Sequence, residues 1–160
     1  PQSSGWVCGK KDLVEAAAAN GFIAFQSGYK GFARPMKLDR QEIIGLVTAL
    51  DDWIEMDHEE RLIINESRLS TICGDIEDLP GVSCRIENVT QYYGFSLFID
   101  LDSKIVEKTS EDIVRLLDQG DPRIWVLSEG ESNKIQINAQ CLSDGEDSVV
   151  ANRLMEILTT

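Results

Sequence analysis

From Asp39 to Leu79 apolar side chains recur at helical spacing with little interruption. Ile43, Ile44, Leu46, Val47, Leu50, Trp53, Ile54 and Met56 make the first stretch, and Leu62, Ile63, Leu69, Ile72 and Ile76 continue it. Recurrence every three to four residues places such side chains on one face of a helix. Asp39-Arg40-Gln41-Glu42 opens the run with a capping-box pattern, an acidic cap followed three positions on by a carboxylate, and Pro80-Gly81 closes it. At ~1.5 Å per residue, one helix over this run would be on the order of 60 Å long. That is out of proportion to a chain of 160 residues. The apolar face lapses at Asp57-His58-Glu59-Glu60, so a bend or break is expected there. Residues 39–80 therefore read as a linking element, a strut between domains.

Ahead of the strut lies a shorter helical pattern from Lys10 to Asn20, with Leu13, Val14, Ala17 and Ala18 on one face and Gly21 as its stop. Residues 22–32 follow as a loop rich in aromatic side chains, which is expected to pack on something. The first ten residues, Pro1-Gln2-Ser3-Ser4-Gly5-Trp6-Val7-Cys8-Gly9-Lys10, carry no start methionine and read as the continuation of a larger domain.

Beyond Pro80 the period changes from helical to alternating. Val82, Cys84 and Ile86 alternate with polar residues, as do Phe95, Leu97 and Ile99, which predicts half-buried strands. Thr109-Ser110-Glu111-Asp112 caps a helix with Ile113, Leu116 and Leu117 inward and Gly120 as its stop. Ile124-Trp125-Val126-Leu127 and Lys134-Ile135-Gln136-Ile137-Asn138 read as two strands of a hairpin across residues 129–133. Gly145 to Leu158 reads as a last amphipathic helix, with Val149, Val150, Leu154 and Ile157 inward. The order gives an α+β fold: a long linking helix, then a small antiparallel sheet covered by helices on one face.

Composition narrows the classes of function. A formal charge of −13 repels nucleic acid and anionic membranes, so neither is an expected partner. No apolar run is long enough to span a bilayer. Cys8, Cys73, Cys84 and Cys141 contain no Cys-x-x-Cys pair, and they are expected as buried thiols in a reducing compartment, the cytoplasm. With His58 the sole histidine, no ligand cluster for a structural metal is expected.

Two segments suit an anion. Arg34 and Lys37 place two cations just ahead of the helix start at Asp39, where free N–H groups and the helix dipole add to a positive field. The alternative is an ordinary surface loop whose cations pair with nearby acids. Gln2-Ser3-Ser4-Gly5 offers an amide, hydroxyls and glycine for oxyanion contacts, or is a plain turn. His58 has no nucleophile nearby in the sequence and reads as part of a solvated charge run. Trp53 and Trp125 fall on apolar faces and are expected in the core. No glycine-rich dinucleotide or Walker-type loop is present.

Four segments occur in a telling order: Pro1-Gln2-Ser3-Ser4-Gly5; Gly9-Lys10-Lys11-Asp12-Leu13-Val14-Glu15-Ala16-Ala17; Arg34-Pro35-Met36-Lys37-Leu38 with Glu42-Ile43-Ile44-Gly45-Leu46; and Gly120-Asp121-Pro122-Arg123-Ile124. Together they resemble the selenocysteine-synthase-like family of pyridoxal-phosphate enzymes, which includes L-seryl-tRNA selenium transferase and D-glucosaminate-6-phosphate ammonia-lyase. The resemblance implies the C-terminal portion of an aspartate-aminotransferase-like fold. Residues 1–38 would be the tail of the large cofactor-binding domain, 39–80 the linking helix and 81–160 the small domain. It implies pyridoxal 5′-phosphate in a full-length parent, with the Schiff-base lysine a few residues before Pro1, so this chain alone is expected to be inactive.

The resemblance further implies that Gln2 and Ser3 lie near the cofactor phosphate, that Arg34 and Lys37 hold a small anionic amino-acid or amino-sugar substrate, and that the protein is a homodimer or higher oligomer. The parent would be a lyase or transferase. The alternative is a non-catalytic interaction module derived from the same family. The sequence departs from the family in two places. Trp125-Val126-Leu127-Ser128 lacks the expected strand arginine, and Asn138-Ala139-Gln140-Cys141-Leu142 stands where Asp-Pro-Arg-Thr-Leu is usual. Substrate recognition is therefore expected to differ.

Overall fold

The structure, a computed structural model, describes residues 4–22, 33, 35–89, 94–129 and 132–160. The chain divides into two units, Pro1–Met56 and Asp57–Thr160.

The first unit carries two helices among its described residues, α1 (Lys11–Asn20) and α2 (Arg40–Glu55). Neither contains a buried residue. Gly21 closes α1, its N–H donating to Ala18 O at 3.1 Å. Asp39 occupies the N-cap of α2, yet its side chain makes no capping hydrogen bond, contrary to the capping box expected from the sequence. The Glu42 carboxylate does not reach back either: its Oε2 is shielded from solvent without a hydrogen-bond partner. Leu13, Ile44 and Ile54 stay largely in solvent. Trp53, expected in a core, is 47% exposed.

The helical run breaks at Met56–Asp57, and the reason is local. Asp57 accepts hydrogen bonds from the backbone N–H groups of Glu59 and Glu60, both at 3.0 Å. It thereby caps a new helix, α3 (His58–Ile76), with Glu59 and Glu60 in the first turn where carboxylates favour the helix dipole. α3 belongs to the second unit. Past its end the chain turns through Gly81 at φ +78°, where an added Cβ would stand 2.8 Å from Ile105 Cβ, so only glycine serves.

The second unit is a two-layer α+β sandwich. Strands β1 (Val82–Val89), β2 (Gly94–Leu101), β3 (Leu127–Glu129) and β4 (Lys134–Ile137) form an antiparallel sheet in the order β1-β2-β4-β3. Helices α3, α4 (Ser110–Asp118) and α5 (Glu146–Thr159) pack with it. Register aligns the core face: Val82 opposite Leu101, Leu97 opposite Ile137, Ile99 opposite Ile135. Against it stand Leu69, Ile72 and Ile76 of α3, Ile113 and Leu117 of α4, and Val150, Leu154 and Ile157 of α5, all buried. The opposite face carries charge instead. Arg85 pairs with Asp100 and, at 2.7 Å, with Glu87, and Lys134 Nζ lies 3.3 Å from Asp100.

The capping box predicted at Thr109 is present, with Thr109 Oγ1 accepting from Asp112 N and the Asp112 carboxylate accepting from Thr109 N. Asn133, at φ +49°, ties three elements together. Its Oδ1 accepts from Ser110 N at 2.7 Å, and its Nδ2 donates to Leu101 O at 3.1 Å and Ser103 Oγ at 3.0 Å. Asparagine suits the left-handed backbone because its short amide bonds locally. Predicted strand Ile124–Leu127 shrinks to β3, since Ile124 and Val126 turn into the core while the segment between α4 and β3 stays irregular.

The cysteines correct the sequence expectation of four buried thiols. Cys8 and Cys141 are exposed, while Cys73 and Cys84 are half-buried across α3 and β1. Cys8 lies in the first unit, which offers its helices no buried position, and Cys141 in a turn between β4 and α5. Burial pushes the Cys84 thiol up to about 12, and burial also raises Cys73. A thiol held neutral by the fold contributes stability that is fully present below its ordinary value near 9.0 and lost as pH climbs from there towards about 12. At pH 8, where reaction follows thiolate, an aromatic disulfide reagent should therefore modify Cys8 and Cys141 quickly, with Cys73 and Cys84 slower by more than about tenfold until denaturant is added. Four thiols reacting at one rate in the native protein would contradict this burial pattern.

Candidate functional site

Of the residues the sequence singled out, Gln2, Ser3 and Arg34 lie outside the described residues. Lys37 is described. It is exposed, its ammonium sits 5.5 Å from the centroid of the Phe22 ring, and it precedes α2 by three positions. The Asp39 side chain caps none of the first-turn N–H groups of α2, so Lys37 and those dipoles stand together in sequence at one helix start. Ser4 and Gly5 are the described members of the Gln2–Gly5 segment, and Ser4 carries its only described side-chain hydroxyl. Its hydroxyl is shielded from solvent and has no hydrogen-bond partner.

These features test the cofactor that the resemblance implies. An unsatisfied hydroxyl in a Ser/Gly loop suits a phosphate oxygen, which would supply the missing acceptor. The Ser4 hydroxyl thus fits the phosphate end of pyridoxal phosphate.

The second unit carries a groove of about 640 Å³. Trp125, Leu127, Gln136, Asn138, Gln140 and Cys141 line it. Its geometry follows from alternation at the entry to β3: Ile124 and Val126 pack inward, so Trp125 and Leu127 face out, 76% and 55% exposed. The expectation that Trp125 is a core residue fails for this reason. Arg123 lies over the indole, its guanidinium carbon 5.0 Å from the ring centroid. Arg123 Nε in turn donates to Asp118 Oδ1 at 2.7 Å. That hydrogen bond, with the Arg123 charge and a contribution from the Trp125 indole, holds the Asp118 carboxyl below the ordinary carboxylate range. The two departures from the family pattern, at residues 125–128 and 138–142, therefore line one groove. Where arginines were expected, the groove presents an indole, an isobutyl group and side-chain amides.

Sequence reasoning missed Asn65. It stands four residues before Leu69 on the buried stripe of α3 and is 3% exposed. Both polar atoms of its amide lack hydrogen-bond partners. A Cβ built on Gly94 would lie 3.0 Å from Asn65 Nδ2 and 3.2 Å from Gln140 Nε2, so these two amides converge on the start of β2. The signal was available as a polar residue at a core position of the helical period. An unsatisfied buried amide costs about 1–3 kcal/mol. Replacing it with a similar apolar shape, Asn65→Leu, should raise unfolding free energy by about 1 kcal/mol in urea titrations, and a loss of similar size would show that the amide is satisfied.

No family model matches the chain. It is 26% identical over 159 residues to 5′-C-glycyluridine monooxygenase-decarboxylase from a Streptomyces species, covering 98% of this chain and 38% of that protein. It is 21% identical over 170 residues to D-glucosaminate-6-phosphate ammonia lyase from Salmonella typhimurium, covering 96% of this chain and 45% of the enzyme. The chain thus spans less than half the length of these curated relatives. A solved structure of D-glucosaminate-6-phosphate ammonia-lyase superposes with a TM-score of 0.64 at 19% identity, over 81% of this chain and 35% of the other, which establishes a shared fold. The chain's relatives and structural neighbour therefore include a pyridoxal-phosphate enzyme of the selenocysteine-synthase-like family that its motifs resemble, matched over a share of length that fits a C-terminal portion.

Proposed function

We propose that this chain is the C-terminal portion of a pyridoxal-phosphate-dependent lyase or transferase acting on an amino acid with a sugar-derived tail. The observation that carries the reading is the first unit, whose two described helices bury no residue and leave Ile44, Ile54 and Leu13 in solvent. A face so apolar calls for cover, and relatives more than twice as long supply the class of body that would cover it. The oligomer is a homodimer or higher, with its catalytic cleft completed upstream of the present residues.

In this reading Gln2 and Ser3, with the unsatisfied Ser4 hydroxyl beside them, face the cofactor phosphate. Arg34 and Lys37 hold the substrate anion ahead of α2. Lys37 is suited to this because it is exposed and makes no ion pair among those found at the described residues. The bound cofactor would supply an electron sink for a carbanion at the amino-acid carbon. The chain's own residues bind and orient the substrate and exclude alternative poses. The substrates named for the two relatives, a glycyl-substituted uridine and an amino-sugar acid, share an amino-acid head on a sugar-derived body.

Borohydride reduction in the presence of pyridoxal phosphate, followed by peptide mass spectrometry, tests this reading. The present chain should carry no specific pyridoxyl-lysine, and the protein translated from the upstream reading frame should carry one upstream of Pro1. In that longer protein Lys37→Ala and Arg34→Ala should each raise KM for a turned-over amino acid by about tenfold or more, with kcat less affected. A longer protein that traps no cofactor, or variants with unchanged KM, would overturn the proposal.

A further inference from the structure

We propose that the groove beside Trp125 seats an uncharged, planar nitrogen heterocycle of the pyrimidine type, stacked on the indole and paired along its edge by side-chain amides. This rests on the reading above that the chain is part of an enzyme acting on a small molecule, and it concerns a ligand held by residues of the second unit alone.

The platform comes first. Trp125 leaves 76% of its surface in water, although a tryptophan offers one of the largest apolar areas of any side chain. It is nevertheless held: Arg123 covers the ring at 5.0 Å and is itself fixed by Asp118 at 2.7 Å. A rigid aromatic surface lowers the ordering cost of a ring that stacks on it. Stacking selects for planarity and tolerates any base, because every base has a π-face.

The rim selects for a neutral ring with mixed polarity. Gln136 and Asn138 line the groove, and each primary amide carries both donors and an acceptor. Gln136 is 9% exposed and oriented by its Nε2, which donates to Ser96 Oγ at 3.2 Å. Asn138 Oδ1 accepts from Gln140 N at 2.9 Å, which engages its oxygen and leaves its amide nitrogen as the donor. A ring with alternating carbonyl and N–H groups matches such a row. Asp118 is the charged residue lining the groove, and it is already engaged by Arg123. The Arg123 guanidinium beside the indole is paired with Asp118, so an anion would have to displace that carboxylate, and an aliphatic tail would offer the Asn138 amide nitrogen no acceptor. The volume, about 640 Å³, lies within the range of small-molecule sites.

The test uses the 160-residue chain without cofactor. Trp6→Phe and Trp53→Phe leave Trp125 as the one indole of the three. Uridine should then quench its emission saturably. By calorimetry on the otherwise native chain, Trp125→Leu should weaken uridine about tenfold and Trp125→Phe much less. Because Trp125 is exposed, both variants should keep the native circular dichroism and unfolding midpoint. Absence of saturable uridine binding would overturn the proposal. So would equal affinity in Trp125→Leu, or Trp125-dependent binding of ribose 5-phosphate or D-glucosaminate 6-phosphate in place of uridine. Since no cofactor enters the assay, failure here is distinct from failure of the upstream protein to trap pyridoxal phosphate.

Discussion

The packing of α3 on the sheet is the contact on which the second unit depends. Leu69, Ile72 and Ile76 recur on one helix face and are fully buried against β2, which carries Leu97 and Ile99. Each such side chain contributes about 1.5–3 kcal/mol on burial. The antiparallel register places those strand residues on one face, and the helices α4 and α5 close the layer. The hairpin β3–β4 is held relative to this layer by Asn133, Ser110 and Ser128, with the two serine hydroxyls 2.9 Å apart. The groove at Trp125 inherits its geometry from that arrangement, because Ile124 and Val126 are anchored in the core on either side of the indole.

Among its described residues the first unit has no equivalent. Its helices are formed by local hydrogen bonds and sequence propensity, and tertiary burial, the usual source of helical stability in proteins, is absent from their described residues. This contrast between a self-sufficient sandwich and a coreless pair of helices gives physical content to the idea of a part within a larger enzyme. The anion-facing residues proposed from sequence all belong to this incomplete unit. The groove belongs to the complete one.

Elements set by strong periodicity were legible in the sequence. The alternation at Val82–Ile86 and Phe95–Ile99, the Thr109 capping box and the amphipathic last helix all reappear in the structure. What escaped was decided by competition between neighbours. Asp39 and Asp57 each stand immediately before a helix, and only Asp57 turns its carboxylate onto the first-turn N–H groups. Ile124-Trp125-Val126-Leu127 is apolar throughout, so composition could not say which alternate pair enters the core. Asn65 is the polar member of an otherwise apolar helical stripe, so its position in the period argues for the core while its amide chemistry argues for the surface. The aromatic loop at 22–32, apart from Phe22, lies outside the described residues, and so do three of the four residues expected to face cofactor or substrate.

Native-state hydrogen exchange addresses the central contrast most directly. In the 160-residue chain, amides of α3 and β2 should exchange only by global opening, while those of α1 and α2 should exchange nearly as fast as unstructured peptide. In the protein extended through its upstream reading frame, α1 and α2 should become protected to the level of the sandwich. Slow exchange of α1 and α2 in the short chain would contradict the account, because helices without burial would then be stable with no larger body to cover them.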